Sequence, residues 1–338
     1  MGSHSITTVG VIGTGLIGSS WTALFLSRGL KVIVTDPAPE AETKLRDYLE
    51  KTCPVVPGCT LTVETCLRNL TFVTNIDPYL ESVDLIQDVR PLNGMLALKR
   101  SEMLIAVNQN GPERLPLKRS LIAHLDFLTP THVPIVSSSS GIPSSVFITE
   151  CKENPARILI GHPFNPPHFV PLVEIVPHPG TANEHIAAVC DFYKGLDKDP
   201  VIVRQETPGF IANRLQAALC AEAYSLIERG VVTLEDLDKT MTSGLGLRWA
   251  VTGPIMTNTL GGGGDFGHFM DHLGPALKYW LSDMREHRFD FESQEKTDVL
   301  KEKVSEWVSN LDLGGLERRR DEGLAELVAI RRHASDNH

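Results

Sequence analysis

Two stretches of this chain bring together residues that can do chemistry. The first is VGVIGTGLIGSS, which sets Gly13, Gly15 and Gly18 in a G-x-G-x-x-G array after a strand-like run and at the opening of a helical one. In that context the spacing has a physical reading. Gly13 permits a tight turn, Gly15 lets the backbone approach a diphosphate at the helix N-terminus, and Gly18 lets that helix pack closely on the strand. The next apolar run, KVIVT, ends at Asp36. A carboxylate there accepts hydrogen bonds from both ribose hydroxyls of an adenosine and repels a 2′-phosphate, so NAD is expected rather than NADP. The expected dinucleotide contacts are Gly13, Thr14, Gly15, Leu16, Ile17, Gly18 and Asp36.

The second stretch is discontinuous: IVSSSSGIP, then GHPFNPPHFVPLVEIVPHPGT, then TPGFIANRL. Oxidising an alcohol requires a base for the hydroxyl proton while hydride leaves the same carbon. A histidine has the intrinsic pKa for that task near pH 7, and His162 leaves a strand-like run for a Pro-rich turn. Glu174 lies in an otherwise apolar strand, LVEIV, where a carboxylate must find a partner. A histidine ring N–H is a natural one, because it fixes the tautomer and the carboxylate stabilises the imidazolium. Asn213, in the first turn of a helix, can join a serine hydroxyl in hydrogen-bonding a developing carbonyl oxygen.

The elements that must position these groups alternate through the first two-thirds of the chain. Candidate strands are Thr8–Ile12, Lys31–Thr35, Leu70–Thr74, Val83–Gln87, Pro134–Ser138, Arg157–Gly161, Val170–Val176 and Val201–Arg204, with helical stretches such as Ala41–Thr52 and Leu115–Leu125 between them. Several of these strands are apolar on both faces, as parallel strands covered by helices are. The pattern predicts α/β architecture with an N-terminal doubly wound, Rossmann-type NAD domain over 1–205, followed by an all-α domain over 206–338. In the second domain Phe210, Leu215, Leu219, Ala223 and Leu226 recur at helical spacing, and Thr233 with Asp236 resembles a capping box. Gly261–Gly264 reads as a flexible loop.

On HPFNPPHFVPLVEIVPHP, GLGLRWAVTGP and the glycine array, the chain resembles the 3-hydroxyacyl-CoA dehydrogenase family, and within it the λ-crystallin (L-gulonate 3-dehydrogenase) branch. The resemblance runs from about Thr8 to about Leu273. It implies an NAD domain, a helical dimerisation domain making a homodimer, and a Ser–His–Glu–Asn site. The family's serine maps to Ser140 or, one residue earlier, Ser139, which otherwise falls among the substrate contacts. His162, Glu174 and Asn213 complete the set, and Asn165 is implied beside the nicotinamide. His168 and His178 have no role in the family and read as turn or surface residues. Arg248, in GLGLRWA, either clamps a substrate carboxylate in a bidentate fork or serves structurally by capping a helix or pairing with an acid.

One segment departs from the pattern. After Gln87 and Asp88 the stretch Val89–Gln109 intervenes before Asn110-Gly111-Pro112-Glu113-Arg114 resumes the family pattern. Val-Arg can be encoded by GTACG and Gln109 by CAG, the ends of a spliceosomal intron, so the segment reads as a translated intron, with a genuine loop insertion as the alternative. The family implies that Asp88 and Arg114 contact the nicotinamide ribose, and the insertion separates them.

Composition bounds the rest. With 338 residues, 42% hydrophobic and 22% charged, the chain has the make-up of a globular protein of more than one domain. A formal net charge of −10 disfavours nucleic acid or an anionic membrane as partner. No apolar run nears the roughly 20 residues of a membrane span. Six cysteines without a C-x-x-C pair suggest reduced thiols and no metal site. MGSHSITTVGVIG has no features of a leader and ASDNH is not a peroxisomal address, so a cytoplasmic protein is expected. The expected partner is a small-molecule hydroxy acid or acyl thioester: an L-gulonate-like acid, a 3-hydroxyacyl-CoA or a β-hydroxy polyketide-type chain. The competing class is a non-catalytic, crystallin-like scaffold whose cofactor site is impaired by the insertion. The segment mixes apolar LNGMLAL and MLIAV with KRSE and lacks the turn chemistry of a tight strand-to-helix connection, so it is expected to lie outside the core near the cofactor site. Excising Val89–Gln109 is expected to raise NAD affinity and melting temperature together, because it restores the ribose contacts and removes exposed apolar surface. Titration calorimetry and thermal melting measure the two, and a fall in both would make the segment a working part of the fold.

Overall fold

The computed structural model describes residues 6–89 and 115–335. The chain forms two compact units, Met1–Ile211 and Ala212–His338. In the first, β1 (Thr8–Ile12) passes through the glycine turn into α1 (Leu16–Ser27), followed by β2 (Lys31–Thr35), α2 (Ala41–Thr52), α3 (Val63–Arg68), β3 (Leu70–Val73) and β4 (Leu85–Asp88). Then come α4 (Leu115–Leu128), β5 (Ile135–Ser137), α5 (Ser144–Phe147), β6 (Ile158–Pro163), β7 (Leu172–Val176), α6 (Asn183–Gly195) and β8 (Asp199–Ile202). The expectations attached to Arg90–Gln109 and to Arg114 fall outside the described residues.

The strands make an eight-stranded sheet in the order β3-β2-β1-β4-β5-β6-β7-β8. Winding runs outward from β1 in one direction and resumes at β4 on its other side. That reversal opens a crevice beyond the carboxyl ends of β1 and β4, where open α/β sheets take their ligands. Residues alternate between two cores as the pleat requires. Val9, Val11, Val32, Val34, Leu85, Val136, Leu159, Val173 and Ile175 pack with Trp21, Phe25, Leu45, Leu49 and Tyr193 of the helices on one face. Ile12, Ile33, Ile86, Ile135, Ile158 and Ile160 pack with Leu121, Ile122, Leu125 and Phe147 on the other. Burial of each such side chain contributes about 1.5–3 kcal/mol, which is why the strands read as continuous apolar runs.

Three details differ from the sequence reading. β6 and β7 pair antiparallel, whereas the other neighbours are parallel. The connector from Phe164 to Pro171 is shorter than the dozen or so residues a parallel crossover needs. β8 starts at Asp199-Pro200, ahead of the expected Val201, and an edge strand is where a proline is tolerated. Val89, the first residue of the atypical segment, belongs to the fold: its N–H donates to Ile12 O at 3.1 Å and its side chain is in the core. An excision that tests the segment alone therefore begins at Arg90.

The second unit contains α7 (Ala212–Glu228), α8 (Leu234–Thr240), a π-helical turn over Met241–Leu245, α9 (Gly246–Trp249), α10 (Pro254–Gly261), α11 (Phe266–Glu286), α12 (Gln294–Val308) and α13 (Leu313–Ser335). Thr233 caps α8 by accepting from the Asp236 N–H, and its hydroxyl donates to the Asp236 carboxylate. The glycine run is a helix-to-helix turn rather than a free loop. Gly261 ends α10, Gly263 and Gly264 take φ of 72° and 92°, and Asp265 caps α11. Leu247, Val251, Ile255 and Leu260 are all more than half exposed.

Candidate active site

The antiparallel register sets His162 directly opposite Glu174. Cross-strand partners project from the same face, and here they meet: His162 Nδ1 lies 2.8 Å from Glu174 Oε2. An ionised carboxylate only accepts, so Nδ1 carries the proton and Nε2 presents its lone pair. Nε2 lies 3.1 Å from the Ser140 hydroxyl, which then donates to it. The second oxygen of Glu174 accepts from the Ile211 N–H at 2.8 Å. Both oxygens of a carboxylate that is 1% exposed are thus engaged, as a buried charge requires. Phe164 and Phe210 flank the imidazole edge-on, with centroids 5.7 and 5.4 Å away. They shield the pair from water and restrict rotation of the ring.

The four serines have divided duties. The Ser137 hydroxyl donates to Asp88 at 2.9 Å. Ser138 Oγ accepts from Trp21 Nε1 at 3.1 Å and from Gln87 Nε2 at 3.0 Å. Ser139 donates its N–H to Ser137 Oγ at 3.2 Å, and the exposed Ser140 faces His162. Of the two candidate serines, the structure brings Ser140 to the histidine. Behind them, Tyr193 donates to Gln87 Oε1 at 2.6 Å. Burial pushes the Tyr193 phenol up, so it stays a neutral donor and holds the Gln87 amide with its NH2 toward Ser138.

The glycine turn tests the fit of a dinucleotide. Gly13 has φ of 102° and its N–H donates to Thr35 O at 2.8 Å. A Cβ on Gly18 would stand 1.9 Å from Gly13 O and 2.7 Å from Val89 Cγ2, so the helix packs against the turn only as glycine. A Cβ on Gly15 would meet nothing within 4 Å. It would project into open space at the N-terminus of α1, where no side chain caps the first turn and no acid stands in it. That cradle suits a diphosphate. Leu16 is exposed there, whereas Ile17 packs against the core. Asp36 Oδ2 accepts from Thr14 N at 2.7 Å and Thr14 Oγ at 3.0 Å, and Oδ1 accepts from Ala38 N at 2.8 Å. The acid is thereby fixed at the lip of the turn.

Other expected site residues are held differently. Asp88, implied at the ribose, is fully buried and accepts from Lys118 Nζ and Ser137 Oγ. Its carboxylate is turned inward to neutralise a buried lysine. Asn165 is exposed on the connector. Asn213 lies in the first turn of α7, in the second unit, two residues past the Ile211 donor. Arg248 is exposed on α9, and its guanidinium pairs with no carboxylate among the described residues. His168 and His178, read from sequence as turn or surface residues, are both buried. His168 bonds to Ser20, and His178 Nε2 donates to Pro155 O at 3.0 Å while Nδ1 accepts from Gly180 N. Sequence reasoning missed the flanking rings and Ile211. No side-chain type marks a backbone donor, and an isolated aromatic reads as ordinary core. The six cysteines are free, and burial pushes the Cys53 and Cys151 thiols up to about 12.

Residues 8–207 match the NAD binding domain of 3-hydroxyacyl-CoA dehydrogenase, and residues 209–298 match the C-terminal domain of the same family. A 3-hydroxyacyl-CoA dehydrogenase of Gibberella moniliformis is 46% identical over 332 residues, 97% of this chain and 96% of its own. An L-carnitine dehydrogenase of Streptomyces coelicolor is 35% identical over 326 residues, 96% of this chain and 95% of its own. Among solved structures, 5-formyl-3-hydroxy-2-methylpyridine 4-carboxylic acid 5-dehydrogenase, an NAD+ dependent dismutase, shares the fold. It matches with a TM-score of 0.69 at 24% identity, over 97% of this chain and 98% of that one.

Two glycine substitutions separate folding from binding. Gly15 already has φ of −63° and open space beyond it. Gly15→Ala should therefore keep the parent melting temperature while weakening NAD binding roughly tenfold or more, about 1.4 kcal/mol. Gly18→Ala forces the helix off the turn and should lower stability by about 1–3 kcal/mol as well as binding. Scanning fluorimetry and calorimetry distinguish the two, and parent-like NAD affinity in Gly15→Ala would remove the diphosphate from this cradle.

Proposed function

The chain belongs to the 3-hydroxyacyl-CoA dehydrogenase family, and on that premise we propose how its residues act, on what substrate and in what assembly. It is an NAD-dependent oxidoreductase of the CH–OH group of a 3-hydroxy acid or 3-hydroxyacyl compound. The Gly13–Gly18 turn and Asp36 would hold the dinucleotide, which supplies the hydride acceptor when bound.

The observation that carries the mechanism is the Ser140–His162–Glu174 relay. His162 is the base: with Nδ1–H committed to Glu174, Nε2 is free to take the proton of the substrate hydroxyl. That hydroxyl replaces Ser140 as the donor to Nε2, which releases the Ser140 hydrogen for the substrate oxygen. Glu174 then faces an imidazolium, whose charge it stabilises in a site that Phe164 and Phe210 keep dry. Ser140, with Asn213, donates to the substrate oxygen as it acquires carbonyl character. A non-catalytic scaffold has no use for a buried carboxylate aimed at a histidine.

For substrate we propose a small 3-hydroxy acid with a free carboxylate, clamped by Arg248. An exposed guanidinium without an acidic partner among the described residues is available for a bidentate fork. L-Carnitine, named for several relatives at 34–40% identity, is such an acid, whereas the relative at 46% identity is named for an acyl-CoA. GLGLRWAVTGP, which contains Arg248, supports placing the chain near the λ-crystallin branch. We further propose a homodimer, on the exposed Leu247, Val251, Ile255 and Leu260 of the helical unit. A cytosolic setting accords with six free thiols.

His162→Ala should leave NAD binding nearly intact and lower kcat by roughly a hundredfold or more. Glu174→Gln should lower kcat in the same direction, because the imidazolium loses its counter-charge. Parent rates in both variants would put the base elsewhere. Arg248→Ala should raise KM for small 3-hydroxy acids by roughly tenfold or more, the scale of a lost charge-assisted pair, and leave acyl-CoA kinetics alone. A rise confined to acyl-CoA substrates would reverse the substrate assignment.

A further inference from the structure

The connector Phe164–Pro171 leaves His162 at one end and delivers Glu174 at the other, so its placement sets the alignment of the pair. Its middle is tied to the dinucleotide helix. The His168 N–H donates to Ser20 Oγ on α1 at 3.0 Å, and the same Oγ lies 2.7 Å from His168 Nδ1. Ser20 Oγ accepts from the His168 backbone and forms a second hydrogen bond with the His168 ring at Nδ1, so one hydroxyl holds both the main chain and the side chain of this residue. The Tyr48 hydroxyl, from α2, stands 3.5 Å from that Nδ1, with its ring edge-on to the imidazole.

A second tether holds the same connector. Lys198, 5% exposed, donates to the carbonyls of Pro167 and Val170, and its ammonium stands 5.4 Å over the Trp21 ring. Trp21 follows Ser20 on α1 and donates to Ser138, two residues before Ser140. Consecutive residues of α1 therefore reach both arms of the relay: Ser20 the connector of His162 and Glu174, Trp21 the serine run. The glycine cradle opens the same helix.

We propose that His168 is a positioning residue of the dehydrogenase reaction, locking through Ser20 the connector between His162 and Glu174 to the helix that receives the dinucleotide. The proposal rests on His162 being the base. It places the effect of His168 in turnover rather than in cofactor affinity, because the turn that holds the diphosphate ends before Ser20.

Three variants of the full chain test it, read by kcat, KM, NAD dissociation constant, melting temperature and the pH profile of kcat/KM. Ser20→Ala removes both bonds at the loss of one oxygen. His168→Leu removes the ring's bond to Ser20, and His168→Asn keeps a hydrogen-bonding group near the place of Nδ1. Ser20→Ala and His168→Leu should each lower kcat roughly tenfold or more, since misplacements of about 1 Å remote from the chemistry reach a hundredfold. Both should shift the limb of the pH profile that reports His162, whose alignment with Glu174 they disturb, with NAD affinity unchanged. His168→Asn should recover most of the loss. The double variant Ser20→Ala/His168→Leu should be no worse than the worse single one, since both break one contact. Parent kcat and an unmoved pH profile in Ser20→Ala and His168→Leu, whatever the melting temperature, would reduce His168 to a packing residue. If His168→Leu does not fold, Ser20→Ala against His168→Asn decides between the same outcomes. Parent turnover in His162→Ala would instead remove the base on which the proposal rests, a failure visible separately.

Discussion

A carboxylate buried in an apolar strand is the constraint from which the architecture of the first unit follows. An ionised Glu174 without partners would cost several kcal/mol, and the fold meets that cost from two directions. The imidazole of His162 arrives across the β6–β7 ladder, and the N–H of Ile211 arrives after β8 has run its course. The second approach bends the chain through Gly209 and Phe210, with φ of 76° and 51°. Left-handed geometry at a bulky residue is uncommon. Here the Phe210 ring is buried against His162 while its backbone delivers the next N–H to Glu174. The strain and the packing serve the same contact.

Core packing and site geometry are the same set of contacts in the layer beneath. A Cβ on Gly161 would stand 2.5 Å from Val136 Cγ1 and 2.7 Å from the Tyr193 hydroxyl. The glycine before His162 thus makes room for the phenol that orients Gln87, and Gln87 in turn meets Ser138. Arg157 plays a comparable part at the far end of β6. Fully buried, it donates to the carbonyls of Thr129, Pro130, Val133 and Asp126 and to the Asp126 carboxylate, so the entry to the strand that carries His162 is fixed by a cation. Burial lowers its pKa, though a guanidinium remains charged.

The inner strands were legible because both faces of the sheet are covered there, which makes them apolar runs, whereas the edge strand β8 is largely exposed and its start was misplaced. The glycine turn was legible because its spacing has one economical explanation, and the clash a Cβ on Gly18 would create supports it. The direction of β7 was not legible, since the pleat has the same period whichever way a strand runs. Nor was the burial of His168, His178, Lys118 and Lys198. Polar residues go inside only when tertiary partners exist to receive them, and those partners, Ser20, Pro155, Asp88 and two connector carbonyls, lie 23 to 148 residues away in the chain. Asp88, which the family resemblance implies at the ribose, also accepts from the buried Lys118, a partner that the sequence did not reveal.

The β6–β7 register also governs which changes in chain length this unit can absorb over evolutionary time. Successive side chains of a strand point to opposite faces, so gaining or losing one residue within Ile158–Pro163 or Leu172–Val176 would send either His162 or Glu174 through the sheet to the wrong core. Such an event would break the relay and bury an unpaired charge in a single step. The surface turns far from this ladder face no parity rule. Lineages descended from such a chain should therefore keep the arithmetic of these two strands fixed while drifting in length elsewhere, with the hairpin inherited as one indivisible unit.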